Sequence, residues 1–200
     1  MPRKALLAAL AAALALWPRP SWTQEEDPPP AAPAGGAYRS FTSARRTFAC
    51  DVPVRGWRVF EEETPSGSAA HFLGPSELDG SWRAALHVHY VDKTQPGFLP
   101  LEDAVKRARR AEPGSSRSAT TVRRWRVARQ SARRFEVTET RLIPPDRLPA
   151  APAVLHHYVA FVPAGDGYFL VKLSSARDNY LDYRELFERV LQTFRILGYP

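Results

Sequence analysis

Apolar residues near the end of the chain recur at the spacing of an amphipathic helix. At about 100° per residue they fall within an arc of about 140°. The members of this stripe are Tyr180, Tyr183, Leu186, Phe187, Val190, Leu191, Phe194 and Leu197. Asn179 can cap the start of the helix, and Gly198 follows the last apolar position, where a left-handed residue commonly ends a helix. The pattern predicts one long helix over residues 179–197 with its apolar face against a core.

Two strands that precede this helix are apolar on both faces. In Val154–Val162 apolar residues occupy both sets of alternating positions, and Tyr168–Leu173 follows the same pattern. A strand that is apolar on both sides is covered on both sides. Between the two strands, the Ala-Gly-Asp-Gly segment at 164–167 suits the positive φ angles of a tight hairpin. The two strands are therefore predicted to lie centrally in a sheet.

Shorter alternating segments predict the remaining strands, which lie at residues 38–53, 57–63, 69–73, 81–91, 120–129 and 133–142. A short amphipathic helix is predicted over residues 101–112, with acidic residues in its first turn and basic residues after them. The segment 143–153 contains four prolines. It is predicted to be a surface loop without a regular ladder, because proline cannot donate a backbone hydrogen bond.

Together these elements predict an α+β protein. A largely antiparallel central sheet needs a layer on each face. The helix at 101–112 is expected on one face and the long C-terminal helix on the other, which gives a three-layer α/β/α sandwich.

The N-terminal part of the chain differs in composition from the rest. Residues 1–23 carry Arg3 and Lys4, then the apolar run Ala5–Trp17, and then small residues suited to cleavage. This layout is typical of a secretory signal peptide. Residues 24–37 are acidic and then rich in Pro, Ala and Gly, which predicts a disordered spacer. Residues 38–200 remain as a single domain. We therefore expect export to the periplasm or the cell exterior, with an uncleaved membrane anchor as the alternative.

Motifs at both ends of this domain resemble those of the PsbP-like proteins. The first is Phe-x-Cys-x-Val-Pro at 48–53, followed by Gly-Trp at 56–57. The second is Asn-Tyr-x-x-Tyr at 179–183, with a helix that ends in Val-Leu-Gln-Thr-Phe at 190–194. The resemblance spans roughly residues 41–197 and extends to the Mog-type proteins. It implies an α/β/α sandwich and a noncatalytic accessory or binding role, and it carries over no functional residue.

His87 and His89 lie two residues apart on a predicted strand, so their side chains point to the same face. Two imidazoles at this spacing can bind one divalent metal ion, with His71 or the His156-His157 pair as further ligands. A hydrolase or metal-handling protein would need these side chains to converge. Hydrogen-bonded or solvated histidines are the alternative, because no carboxylate or thiol lies at a diagnostic spacing.

The chain is basic, with a formal net charge of +7. An arginine-rich segment surrounds Trp125, and its predicted anion-binding residues are Arg123, Arg124, Arg126 and Arg129. In an exported protein the anion would be a phospholipid headgroup, a lipopolysaccharide phosphate or an acidic cell-wall polymer, and peripheral membrane contact would follow. Nucleic acid is not an expected partner. A solvated arginine-rich face is the alternative interpretation.

The sequence contains no recognised motif for catalysis or for cofactor binding. It lacks a Gly-x-Ser-x-Gly elbow, a His-Glu-x-x-His zinc helix and a nucleotide-binding glycine loop. Cys50 is the single cysteine and is predicted to be a core residue rather than a nucleophile. We therefore expect no cofactor and no catalytic residue.

These observations favour an exported, noncatalytic accessory domain of the cell envelope that binds an envelope protein or an anionic envelope polymer. Two alternatives remain open. One is a metal-binding or hydrolytic protein that uses the histidines, and the other is a basic surface that binds anionic lipid or cell-wall polymer.

Overall fold

The computed structural model describes residues 37–64, 67–75, 82–111, 116–143 and 151–198. The predicted signal peptide and all but the last residue of the predicted spacer lie outside these residues, so both stay predictions. The elements in chain order are β1 (Tyr38–Thr42), β2 (Phe48–Pro53), β3 (Arg58–Thr64), β4 (Gly67–Leu73), β5 (Ala84–Val91), α1 (Leu101–Arg109), β6 (Ser118–Ala119), β7 (Arg123–Val127), β8 (Gln130–Ile143), β9 (Ala151–Ala164), β10 (Gly167–Ala176), a 3₁₀ segment (Arg177–Tyr183), α2 (Arg184–Thr193) and β11 (Arg195–Ile196).

The main sheet is antiparallel and has the strand order β3-β4-β5-β10-β9-β8-β6, with β7 also paired to β8. Strands β9 and β10 lie inside this order, as predicted, and Tyr158–Val162 of β9 are buried on both faces. A two-residue turn joins the strands, since Ala164 pairs with Gly167. Gly165 has a φ of 54°, and a Cβ at Gly167 would collide with the Val91 carbonyl. The turn therefore favours glycine at 165, and the close approach of β5 requires glycine at 167.

The C-terminal helical segment covers one face of the main sheet. It begins as the 3₁₀ segment and continues as α2, and the residues of the predicted stripe that are buried are Tyr183, Leu186, Phe187, Val190, Leu191 and Phe194. The prediction of one helix to residue 197 was too long, because α2 ends at Thr193 and β11 then pairs with β2. Gly198 therefore lies beyond β11 and does not end the helix.

The opposite face of the sheet is covered in part by α1. Ala104 and Val105 pack into a cluster with Phe135, Phe161 and Tyr168 of the sheet. The helix ends at Arg109 rather than at residue 112, since Arg110 has an extended backbone with ψ 128°. Within the described part of the chain, no helix is long and apolar enough to cross a membrane.

A second, smaller sheet lies beside α2. Its strand order is β1-β2-β11, where a single strand over residues 38–53 was predicted. Phe48 of this sheet stacks on Phe194 at 5.4 Å between ring centroids and also contacts Phe169 of the main sheet. The small sheet and α2 thus form one layer, which confirms the three-layer α+β architecture and adds strands to one of its outer layers.

Two local predictions from the sequence were wrong. The segment 143–153 was expected to lack a ladder, but at its ends Ile143 pairs with Ala151 and Leu142 with Pro152, while residues 144–150 lie outside the described residues. Proline is tolerated there because the ladder with β10 extends only to Leu155, so Pro152 lies on a free edge. The strand predicted over residues 81–91 was too long at its start, since β5 begins at Ala84, and Trp82 before it is 37% exposed.

Candidate functional site

Polar side chains occupy the part of the main sheet that α1 leaves uncovered. Strand β5 places Leu86, Val88 and Tyr90 in the core and turns His87 and His89 to the other face, as the alternating pattern predicted. His71 of β4 lies directly opposite His87. The structure therefore brings His71 and His87 together from adjacent strands.

The two rings meet through their Nδ1 atoms, which are 2.6 Å apart. The Nε2 atom of His71 lies 2.9 Å from a carboxylate oxygen of Glu62, and Phe60 stacks on the same ring. A carboxylate accepts hydrogen bonds, so His71 donates from Nε2 and its Nδ1 carries a lone pair. His87 then donates from its own Nδ1. A hydrogen-bonded chain thus runs from Glu62 through His71 to His87.

His87 and His89 are neutral at neutral pH. Burial, followed by the nearby charges of His71 and Lys172, lowers the pKa of His87 to about 4, and burial also lowers the pKa of His89. Neutral imidazole is the form that binds metal, and a carboxylate on the second ring nitrogen orients such a ligand. Among the residues that the structure describes, no group of three or more histidine, cysteine or acidic side chains is arranged to hold a metal ion. Metal binding by His87 and His89 stays a prediction.

His156 and His157 are adjacent on β9 and point to opposite faces, so they cannot act as a pair. His156 packs on the ring of Tyr180 and lies 3.1 Å from a carboxylate oxygen of Glu136. His157 faces the α1 side, where its Nε2 lies 3.2 Å from Glu139 Oε1 and its Nδ1 lies 2.8 Å from Ser174 Oγ. The hydroxyl of Ser174 therefore donates to His157, which donates to Glu139.

This serine, histidine and acid in series resemble the arrangement of a nucleophilic enzyme. However, Ser174 lies within β10, whose backbone pairs with β5 on one side and β9 on the other. Its peptide N–H is therefore committed to the sheet and cannot stabilise an oxyanion. Arg117 and Arg141 both bind Glu139, so we interpret these residues as a buried polar network. Sequence spacing could not reveal it, because it joins three strands.

Around Glu139 and Lys172, basic side chains outnumber acidic ones. Burial raises the pKa of Glu139, but hydrogen bonding to Arg141 and the nearby charges of His157, Arg141 and Arg117 lower it overall. Burial lowers the pKa of Lys172, which makes no ion pair with the described residues. The polar face around β10 therefore has an excess of positive charge.

The predicted anion-binding arginines lie on and beside β7, at an edge of the main sheet. We call this surface the β7 edge and define it as Arg123, Arg124, Trp125, Arg126 and Arg129. Pleating divides the strand, so that Arg123 and Trp125 face the α2 side while Arg124 and Arg126 face the α1 side. The structure therefore places one of the four predicted arginines on the α2 side, two on the α1 side and Arg129 in the turn that follows.

The turn between β7 and β8 is built without glycine. Val127 pairs with Gln130, so the turn has two central residues, Ala128 and Arg129, with φ angles of 49° and 65°. Left-handed backbone costs a non-glycine residue about 1–2 kcal/mol. The turn thus holds Arg129 at the tip of the hairpin in a conformation that glycine would adopt more easily.

Cys50 is buried in the small sheet, and burial raises the pKa of its thiol to about 12. A thiol with such a pKa forms almost no thiolate at neutral pH. The prediction that Cys50 is a core residue is confirmed.

Comparisons with known proteins were made at the levels of sequence and structure. A scan against protein-family models finds no match, and a search of curated proteins finds none either. The Ran-binding protein Mog1p of Saccharomyces cerevisiae matches with 10% identity and a TM-score of 0.51, over 82% of this chain and 97% of that chain.

Two further solved structures are similar at lower scores. Cyanobacterial PsbP (CyanoP) of Synechocystis matches with 14% identity and a TM-score of 0.45, over 80% of this chain and 93% of that chain. LpqN, involved in cell envelope biogenesis of Mycobacterium tuberculosis, matches with 11% identity and a TM-score of 0.42, over 81% of this chain and 91% of that chain.

These identities are too low to transfer a function, so the comparison with Mog1p shows the fold alone. The predicted resemblance is confirmed at that level: the chain has an α/β/α fold similar to that of Mog1p.

Proposed function

We propose that this chain is an exported, noncatalytic accessory domain of the cell envelope that binds phosphate-bearing surfaces through the β7 edge. The observation that carries the proposal is a contrast between two sets of arginines. The four arginines of the β7 edge are exposed and make no ion pair with the described residues. Neighbouring arginines of the same sheet do make ion pairs.

The ion-paired arginines lie on β8, next to β7. Arg133 binds Glu102 of α1 at 2.7 Å, and Arg134 binds Glu188 of α2 at 3.0 Å. These ion pairs link the sheet to both helices and neutralise the charges of Arg133 and Arg134. The arginines of the β7 edge have no such acidic neighbour among the described residues and can bind a partner outside the domain.

Trp125 adds an apolar contact to this surface. Its side chain is 42% exposed although Arg134 packs on its ring at 5.1 Å. Tryptophan is enriched where a protein meets the headgroup region of a membrane. Each basic side chain near an anionic lipid surface contributes about 1 kcal/mol. Four arginines and a tryptophan together suit a phosphate-bearing layer.

Export rests on the sequence of the N-terminal residues. An apolar run follows Arg3 and Lys4, and small residues suited to cleavage come next. N-terminal sequencing of the chain from its host tests this part of the proposal. A mature end near Gln24 supports export, and an intact Met1 in the cytosolic fraction contradicts it.

Vesicle sedimentation tests the β7 edge. The full chain is mixed with neutral phospholipid vesicles, with vesicles that contain an anionic phospholipid, and with neutral vesicles that contain lipopolysaccharide. Neutral vesicles measure any retention by the apolar N-terminal run, and the two anionic preparations distinguish the two sources of phosphate. We expect salt-sensitive retention on at least one anionic preparation above the neutral level.

The decisive variant replaces all four arginines of the β7 edge with glutamine. We expect its affinity for the anionic vesicles to fall by about a hundredfold or more, given about 1 kcal/mol for each arginine. The matched control removes the same charge from exposed arginines elsewhere, namely Arg39, Arg55, Arg177 and Arg195. Equal losses in both variants, or equal retention on neutral and anionic vesicles, would exclude the β7 edge as the binding surface.

A further inference from the structure

An open cavity lies between α1, the loop that precedes it and the main sheet. Its volume is about 730 Å³, within the range of about 300–1,000 Å³ typical of small-ligand sites. The apolar part of its wall includes Phe98, Phe161, Tyr168 and Leu170. Phe98 contacts Tyr168 at 5.9 Å between ring centroids, and Tyr168 contacts Phe161 at 5.5 Å. The wall is therefore a continuous aromatic surface.

Three arginines complete this cavity, and none of the described residues that line it is acidic. Arg107 and Arg110 come from α1 and its end, and they make no ion pair with the described residues. Arg117 is held by the Ala108 carbonyl and by Glu139. The buried Nε–H of Arg117 has no acceptor in the described part of the chain. The cavity thus offers unsatisfied positive charge beside an apolar wall.

We infer that this cavity binds an anionic amphiphile, a molecule with an apolar body and a carboxylate or phosphate head. The apolar body covers the aromatic wall, and the arginines bind the head by charge-assisted hydrogen bonds. This site is distinct from the β7 edge, since the two share no residue. It binds single molecules rather than a lipid surface.

Binding is tested with decanoate and 1-decanol, which share a chain length and differ in charge. Each displaces 8-anilinonaphthalene-1-sulfonate, an anionic apolar probe, from the full chain, and fluorescence reports the displacement. We expect decanoate to bind at least tenfold more tightly than decanol, because hydrogen bonds to charged groups contribute enough for such a ratio. Equal affinity for the two compounds would overturn the inference.

Paired variants locate the head-binding group. Arg107→Gln with Arg110→Gln is expected to weaken decanoate binding about tenfold and to leave decanol unchanged. The charge-matched control, Lys106→Gln with Arg39→Gln, removes one charge from α1 outside the cavity and one from β1, and it should leave both affinities unchanged. The glutamine variant of the whole β7 edge should also bind decanoate normally. Loss of binding in either control, or no loss in the Arg107 and Arg110 variant, would refute the assignment, and thermal melting shows that each variant is folded.

Discussion

His87 binds a proton less tightly in the folded chain than in the unfolded chain. Burial, together with His71 and Lys172, lowers its pKa from 6.5 to about 4, and the nearby Glu62 only partly opposes this. Between these pH values the unfolded chain binds more protons, so stability that is present above pH 6.5 is lost as the pH falls towards 4. His157 acts in the same direction.

We predict that the free energy of unfolding falls on the order of 2 kcal/mol for His87 alone between pH 6.5 and 5, at about 1.4 kcal/mol for each pH unit and proton. Denaturant unfolding at several pH values measures it. His87→Gln should flatten the pH dependence in this interval. An unchanged slope in that variant would show that His87 is not the group that is protonated on unfolding.

The metal hypothesis drawn from the sequence can be tested at the imidazole pair of His71 and His87. The Nδ1 atoms face each other at 2.6 Å, which is a hydrogen-bond distance, so one zinc ion with Zn–N bonds of about 2.0–2.1 Å would bind both rings only if they moved apart. We predict zinc binding in the micromolar range, measured by calorimetry on the full chain at neutral pH, and its loss in His87→Ala. His89→Ala tests the partner that sequence spacing suggested, and His156→Ala, which alters the opposite face, serves as the control. Absence of heat at micromolar zinc would end the metal hypothesis.

At the scale of elements, the turn between β7 and β8 contains Arg129, which has a strained backbone and also belongs to the β7 edge. Arg129 has a φ of 65°, which glycine adopts without a steric penalty. We predict that Arg129→Gly raises the free energy of unfolding by about 0.5–1 kcal/mol, because relief of strain exceeds the added freedom of the unfolded chain. The same variant should bind anionic vesicles less tightly. Denaturant unfolding and sedimentation measure the two effects.

The chain offers a matched control for this variant. Arg46 also has a left-handed backbone, with a φ of 57°, and lies in the turn between β1 and β2. Arg46→Gly should raise stability by a similar amount and leave vesicle binding unchanged. If both variants lose binding equally, Arg129 has no special part in it.

The last helix shows which features a local sequence pattern can predict and which it cannot. The apolar stripe of the last helix is visible in the sequence because it depends on spacing alone, and its members from Tyr183 to Phe194 are buried. Its end is not visible, because the chain leaves α2 to pair Ile196 with Phe48, a residue far away in the sequence. Leu197, which continues the stripe in the sequence, is 48% exposed for this reason.

For the whole molecule, the three layers of the sandwich could be predicted from the sequence, but the pairing of the strands could not. Strands that are apolar on both faces indicate a covered central sheet, which the structure confirms. The small sheet was missed because β11 has two residues and no pattern of its own. The contact of His71 with His87 depends on the register between β4 and β5, and the Ser174, His157 and Glu139 network depends on two further registers. Spacing along one strand identifies the face of a side chain but not its neighbour.

At the scale of the whole molecule, the β7 edge is an exposed group of arginines beside β8, whose Arg133 and Arg134 are already paired with acids of the two helices. On the proposed function, the β7 edge binds phosphate-bearing surfaces by electrostatic attraction. The most direct measurement is the affinity of the full chain for anionic vesicles at increasing salt, compared with the variant that carries glutamine at Arg123, Arg124, Arg126 and Arg129. Screening weakens contacts between exposed charges. The account predicts a steep fall in affinity with salt for the natural chain and a nearly flat dependence for the variant, whereas the same salt dependence in both would contradict it.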